Sequence, residues 1–329
     1  MKKVILINFF IVLSIILLLE IIIRFSNIVE LQGYDKNIFY QENNITFSKP
    51  NKTFKVFGKN SRTDEDGFRI PLKNFSYDTN KNFYLILGDS VTYGVGVEEK
   101  DSFIGILREK KNNLLNTAIS GHNLESYLYI LKKSNSKFKS KIDKVIVFLC
   151  LNDVASYQGV ILKEELNKSK NKKNFFEDYI KKGLILKMNI FLREKSYIFV
   201  LTKGLFTNPI KRHYDYMNIL YESEENLIKF KKNIKKIHEF SVSNNLKLEF
   251  VLLPYTYQIL NKCDNKFLNS QNEINKIFSS LGLKLNNYTN EFCKKSNNNK
   301  LFLPYDPVHL SKYGHKYVSE LLIKDKVID

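Results

Sequence analysis

Apolar positions along the chain fall into three patterns. The first is a near-unbroken run from Val4 to Ile23. About twenty helical residues span about 30 Å, the thickness of a bilayer's hydrocarbon core. The second begins at residue 82 and consists of short apolar runs: Phe83–Leu87, Leu114–Thr117, Lys144–Leu149 and Leu248–Leu253. Their near-continuous apolar character predicts strands covered on both faces, as in a parallel sheet. The third is amphipathic. Leu227, Phe230, Ile234, Ile237 and Phe240 recur at helical spacing behind Ser223, a candidate N-cap, with Glu224 and Glu225 in the first turn. A last helix is predicted from about Lys312 to Lys324, with Ser311 as its N-cap. The alternation predicts an α/β fold: a doubly wound, mostly parallel sheet flanked by helices, preceded by an N-terminal transmembrane helix.

Charge sets the expected orientation of that first helix. Lys2 and Lys3 precede it, Arg24 follows it, and Glu30 and Asp35 dilute positive charge beyond. The positive-inside rule then puts the N-terminus in the cytoplasm and the rest outside. A cleaved signal peptide would have a shorter apolar core and a small-x-small site after it. The first alanine is Ala118, and Arg24-Phe25-Ser26-Asn27 is a poor cleavage site. The expectation is an uncleaved single-pass anchor. No cysteine follows the run, which excludes a lipoprotein anchor. Glu20 lies within a turn of the end, where a carboxylate reaches the interface.

The chain divides into an anchor (1–26), a polar, Asn-rich membrane-proximal segment (27–80) and a main domain (81–329). Asp64 to Arg69 reads as a turn leading into a short strand, and the segment is expected to pack on the main domain. An insertion at about 157–221 breaks the βα rhythm. Phe175, Phe176, Leu184, Ile185, Ile190, Phe191, Ile198, Phe199 and Leu205 give it apolar faces. Lys181, Lys182, Lys187, Arg193 and Lys195 interrupt them, which argues against a second transmembrane helix. An inserted helical pair is the expectation, with a cap over the crevice or a membrane contact as the other readings.

Hydrophobic content of 43% is that of a globular domain with a core. The net charge of +18 comes from 52 basic and 34 acidic residues. Lys and Asn are abundant throughout, which reads as compositional bias; attraction to anionic lipid or acidic polysaccharide is the other reading. No nucleic-acid motif accompanies the charge, so nucleic acid is not an expected partner. Cys150 ends an apolar strand and reads as a buried free thiol. Cys263 and Cys293 either pair or stay free. There is no CxxC and no metal-ligand spacing, and neither metal nor organic cofactor is implied.

Four separated segments carry candidate chemistry. Gly88-Asp89-Ser90 follows the first strand, Asn116 to Gly121 the second, and Leu151-Asn152-Asp153 the third. Asp306-x-x-His309 precedes the last helix. In open α/β sheets the carboxyl ends of the strands line one crevice, so segments far apart in sequence meet there. A serine on a Gly-flanked turn after a strand is a weak signal alone, because that composition is common in turns. Joined to an acid and a base, it is a strong one.

This ordered set resembles the SGNH/GDSL hydrolase family, over about residues 82 to 325. The resemblance implies a flavodoxin-like sheet with Ser90 as nucleophile, His309 as general base and acid, and Asp306 orienting His309. It also implies an oxyanion hole of the Ser90 and Gly121 backbone N–H groups and the Asn152 side-chain amide. One position departs from the family pattern Gly-x-Asn-Asp: Cys150 stands in place of the glycine, which bears on local packing and pocket shape. Asp89 and Asp153 read as supports of their loops, and His315 as a packing residue. His122 is a candidate pocket residue; His213 and His238 read as solvated.

The resemblance implies hydrolysis or transfer of an O-acyl ester through an acyl-serine intermediate. Water and a sugar hydroxyl are equal candidates for the acceptor, since both follow the same first half-reaction. An acetyl ester on an envelope or exported carbohydrate is the leading substrate class. A lipid or short-chain ester, lysophospholipase-like, is the alternative. A non-catalytic SGNH-like module that binds glycan or assists assembly is the reading from another class.

Overall fold

A computed structural model describes the chain except Met1, Asn27, Lys36, Thr79, Asn112, Lys139, Ser140, 156–174 and Asp329. The first part of the insertion, and the side chains of Phe175 and Phe176, lie outside the described residues. The N-terminal run is one helix, α1 (Lys2–Ser26), long and apolar enough to cross a membrane, with almost all of its side chains exposed. Two small antiparallel sheets follow: β1 (Phe39–Glu42) with β2 (Ile45–Ser48), and β3 (Thr53–Val56), β4 (Lys59–Thr63) and β5 (Arg69–Ile70).

The main sheet has five parallel strands: β6 (Phe83–Leu87), β7 (Leu114–Asn116), β8 (Ile142–Leu149), β9 (Lys247–Leu252) and β10 (Asn286–Asn287). Their spatial order is β10-β9-β8-β6-β7. The chain steps from β6 to β7 on one side, then returns past β6 to β8. This is the flavodoxin-like order, and the reversal opens a crevice at the carboxyl end of β6. Every residue of β6 is buried, and only Asp143 in β8 is not. That double-sided burial explains the continuous apolar runs. β10 was not expected: two asparagines carry no apolar signal, and the strand is a two-residue edge.

The helices are α2 (Ser90–Tyr93), α3 (Phe103–Arg108), α4 (Leu124–Phe138), α5 (Phe175–Lys195), α6 (Tyr197–Thr207), α7 (Pro209–Leu220), α8 (Glu224–Ser243), α9 (Thr256–Leu260), α10 (Asn269–Ser280), α11 (Thr289–Lys294) and α12 (Lys312–Lys324). α3 packs with α12 and α4 with α8; right-handed crossovers put the two pairs on opposite faces of the sheet. Ser223 and Ser311 cap α8 and α12 as their sequences predict. Cys263 and Cys293 form a disulfide, and Cys150 is a buried free thiol.

α6 lies along the end of α1. Ile23 and Val29 pack with Val200 in a small apolar cluster. Glu20 gives the contact its polar half. Its carboxylate accepts from the backbone N–H groups of Tyr197 (2.9 Å) and Ile198 (3.0 Å) and from Ser196 Oγ (3.1 Å). An anion at a helix N-terminus satisfies orphan N–H groups and complements the dipole. This accounts for a carboxylate in an otherwise apolar span.

Candidate active site

The turn that carries Ser90 is built from β6 outward. Asp89 caps α2 by accepting the Val91 N–H at 2.9 Å, which sets Ser90 at the first helical position, half-buried, at the carboxyl end of β6. The far side of the turn is held by the 27–80 segment. The buried Arg69 guanidinium donates to the carbonyls of Tyr93 (2.5 Å), Gly94 (2.7 Å) and Val97 (2.7 Å), and lies 4.8 Å over the Tyr93 ring.

Asp306 and His309 meet Ser90 across 219 positions of sequence. Asp306 Oδ1 accepts the N–H groups of Val308 (2.9 Å) and His309 (2.7 Å), so the acid folds its own loop. Its other oxygen lies 2.8 Å from His309 Nδ1, and His309 Nε2 lies 3.0 Å from Ser90 Oγ. An ionised carboxylate only accepts, so it fixes the proton on Nδ1 and leaves Nε2 to accept from the serine hydroxyl. Burial pulls the His309 pKa down, but the charge and hydrogen bond of Asp306 outweigh it, and the net shift is upward. Burial alone would raise the Asp306 carboxyl; the charge of His309 and the hydrogen bonds from His309 and Val308 hold it below its usual range. The Phe57 ring packs edge-on to the imidazole, centroids 5.3 Å apart.

The Asn152 amide is fixed at both ends. Its Nδ2 donates to Asp89 Oδ2 at 2.9 Å, and its Oδ1 accepts from the buried Tyr255 hydroxyl at 2.8 Å. Asp153 holds the loop, accepting from the Cys150 N–H and the Tyr127 hydroxyl, each at 2.8 Å. Burial, with Asp89 nearby, pushes the Asp153 carboxyl well above its usual range. Cys150 is buried, and burial pushes its thiol up as well; it is an inert packing residue that does not line the cavity. Gly121 has φ +85°, and a Cβ there would meet nothing within 4 Å. The backbone conformation, rather than crowding within the protein, is what asks for glycine.

These residues share one cavity of about 730 Å³. Ser90, Gly121, Asn152, Asp306 and His309 all line it. Gln32, Tyr34 and Phe57 reach it from the N-terminal segment, and Arg193, Lys203, Arg212 and His213 from α5, α6 and α7. The histidines need two corrections. His213 is not solvated: it lines the cavity 5.5 Å from the Tyr255 ring, and burial lowers its pKa to about 4. His122 does not line the cavity: it is buried against the Thr46 carbonyl, 2.6 Å from Nε2. His315 is the packing residue expected, its Nδ1 accepting from the Phe103 N–H at 3.3 Å. His238 is half-buried on α8. Arg69, Tyr34, Phe57 and Tyr255 were missed because none sits in a recognisable motif. They come from segments whose pattern records packing alone.

No protein-family model matches the sequence, and no curated protein matches it. Solved structures similar in fold include an acetyl xylan esterase (16% identity, 74% of this chain and 99% of that one, TM-score 0.43). Others are a lipase/acylhydrolase from Enterococcus faecalis (12%, 74% and 94%, 0.42) and a GDSL-like lipase from Bacteroides thetaiotaomicron (12%, 78% and 93%, 0.38).

Proposed function

We propose that the protein is a membrane-anchored serine esterase or acyltransferase of the SGNH type. It acts on an O-acyl ester, acetyl foremost, of an envelope or exported carbohydrate. The observation that carries this is the hydrogen-bonded series Ser90–His309–Asp306 opening on the cavity. Ser90 Oγ attacks the ester carbonyl while His309 Nε2 takes its proton. The oxyanion is received by the N–H groups of Ser90 and Gly121 and by the Asn152 amide. As the tetrahedral intermediate collapses, the bond to the leaving alcohol breaks and His309 returns the proton to that oxygen. An acyl-Ser90 ester remains. Water or a sugar hydroxyl then attacks it, again deprotonated by His309, and Ser90 Oγ leaves with the proton. The intact series argues against a module without chemistry. The apolar α1, the charge around it and the Cys263–Cys293 disulfide support an extracytoplasmic catalytic domain.

A lipid ester is the second reading. Leu205 and Phe206 of α6 are exposed, at 59% and 86%, and α6 also walls the cavity. The test is hydrolysis of aryl esters graded from acetyl to long acyl chains by the full-length protein in detergent, with Ser90→Ala as control. Activity confined to acetyl and abolished by Ser90→Ala supports the carbohydrate reading. Preference for long chains supports the lipid one. Equal rates for Ser90→Ala and the native protein would remove both.

A further inference from the structure

The cavity wall supplied by the insertion is cationic. Arg193, Lys203 and Arg212 line it. Among the described lining residues the sole carboxylate is Asp306, which is already bound to His309. α6 contains no acidic residue, and the one acid of α7, Asp215, is held by Lys211 at 2.5 Å. Lys203 is instead held by a neutral group, donating to Asn189 Oδ1 at 2.6 Å. No described carboxylate forms an ion pair with Lys203 or Arg212. The lysine-rich composition does not account for the cluster. The chain has six arginines among 52 basic residues, and two of the six line this cavity.

Arg193 and Lys203 are half-buried and Arg212 is exposed; like charges gathered on one wall repel one another, most where burial removes water. Lys203 registers this: burial first, then Arg193 and Arg212, pull its ammonium pKa down to about 8. The arrangement becomes favourable when an anion arrives, because hydrogen bonds between ionised partners are short and strong. Arginine adds a planar fork that matches an oxyacid.

Building on the ester-transfer reading above, we propose that the ester taken by Ser90 carries an oxyacid anion, carboxylate or phosphate, seated against Lys203 and Arg212. An acidic sugar supplies the first, and a phosphate-bearing polymer or headgroup the second. The anion holds the alcohol side of the substrate along α6 and α7 while the acyl carbonyl faces Ser90.

The test uses full-length protein in detergent with para-acetoxybenzoate, para-acetoxyphenyl phosphate and the neutral methyl para-acetoxybenzoate. Each kcat/KM is divided by the rate of hydroxide hydrolysis of the same ester. At least one anionic ester is expected to exceed the neutral one by about tenfold or more. Lys203→Met and Arg212→Met should each cut that ratio by about tenfold to a hundredfold, and Lys203→Arg should restore most of it. Which anion wins identifies the oxyacid. A native ratio near one, or a ratio unmoved in both methionine variants, overturns the proposal. Because the neutral ester is read in every preparation, Ser90-dependent turnover of it without anion preference sinks this inference alone. Absence of Ser90-dependent turnover of any ester sinks the underlying reading.

Discussion

At His309 two opposed pulls decide when the base is available. Burial favours the neutral ring and Asp306 favours the charged one, and Asp306 wins. The imidazole must be neutral to accept from Ser90. kcat/KM should therefore rise with pH through a pKa above the ordinary 6.5 and be lost on the acid side. Asp306→Asn removes the charge and disturbs the tautomer. It should lower the activity by about 10⁴ and move the remaining limb to lower pH. A profile that stays put in Asp306→Asn would show that Asp306 does not set the base. Asn152 makes a second residue-scale case, because Asp89 and Tyr255 hold its amide rigidly. Asn152→Ala should cost about 10²–10³ in kcat, the usual loss for one oxyanion donor, with KM little changed. A rise in KM at constant kcat would assign Asn152 to ground-state binding instead. That these residues would converge was legible in the sequence, because the proposed chemistry dictates their type. A nucleophile, a base, an acid and an amide donor have few substitutes, and strand ends fix where they fall. Tyr255 and Arg69 were not legible, since a hydroxyl or guanidinium that steadies another group answers to no fixed spacing.

Among the elements, α6 joins α1 to the loop that carries Asp306 and His309. Glu20 of α1 caps it, Ile23 and Val29 pack against its Val200, and its Gly204 lies against Tyr305, next to Asp306. A Cβ on Gly204 would come within 2.4 Å of the Tyr305 ring. Two effects of Gly204→Ala therefore compete. A buried helical glycine replaced by alanine gains about 0.5–1 kcal/mol of helix propensity. Forcing a methyl into occupied space costs about 1–3 kcal/mol, and here it is relieved by moving the loop that carries Asp306. The expected outcome is a drop of tenfold or more in kcat/KM with little change in Tm. A stabilised variant of full activity would refute the contact. Periodicity predicted helices in the insertion but could not say which face turns to the crevice. Lys203, three residues from Val200 and one from Gly204, sits in no motif and carries no signal of its own. The fold places it on the cavity wall, on the same side of the helix as Val200 and Gly204.

For the whole molecule, the doubly wound parallel sheet was legible because strands covered on both faces must be apolar throughout and right-handed crossovers leave few topologies. β10 escaped because an edge of two asparagines needs no apolar pattern. The proposed orientation across a membrane draws on two independent features. Lys2 and Lys3 flank the amino end of α1, and Cys263 is bonded to Cys293 in the domain beyond its other end. A disulfide persists in an oxidising compartment and is rare in a reducing one, so both features favour the extracytoplasmic placement proposed above. The chain has three cysteines, which makes the bond countable. Protein isolated from cells with free thiols trapped, then unfolded without reductant, should take up one maleimide, on Cys150, and three after reduction. Three labels before reduction would mean the bond does not form in the cell, and the orientation would lose one of its two supports. The bond closes a loop with a sequence separation of 30, for which chain entropy gives about 3–4 kcal/mol. Cys263→Ser with Cys293→Ser should lower the Tm measurably. Ser90-dependent turnover below the new transition should persist, because neither cysteine lines the cavity.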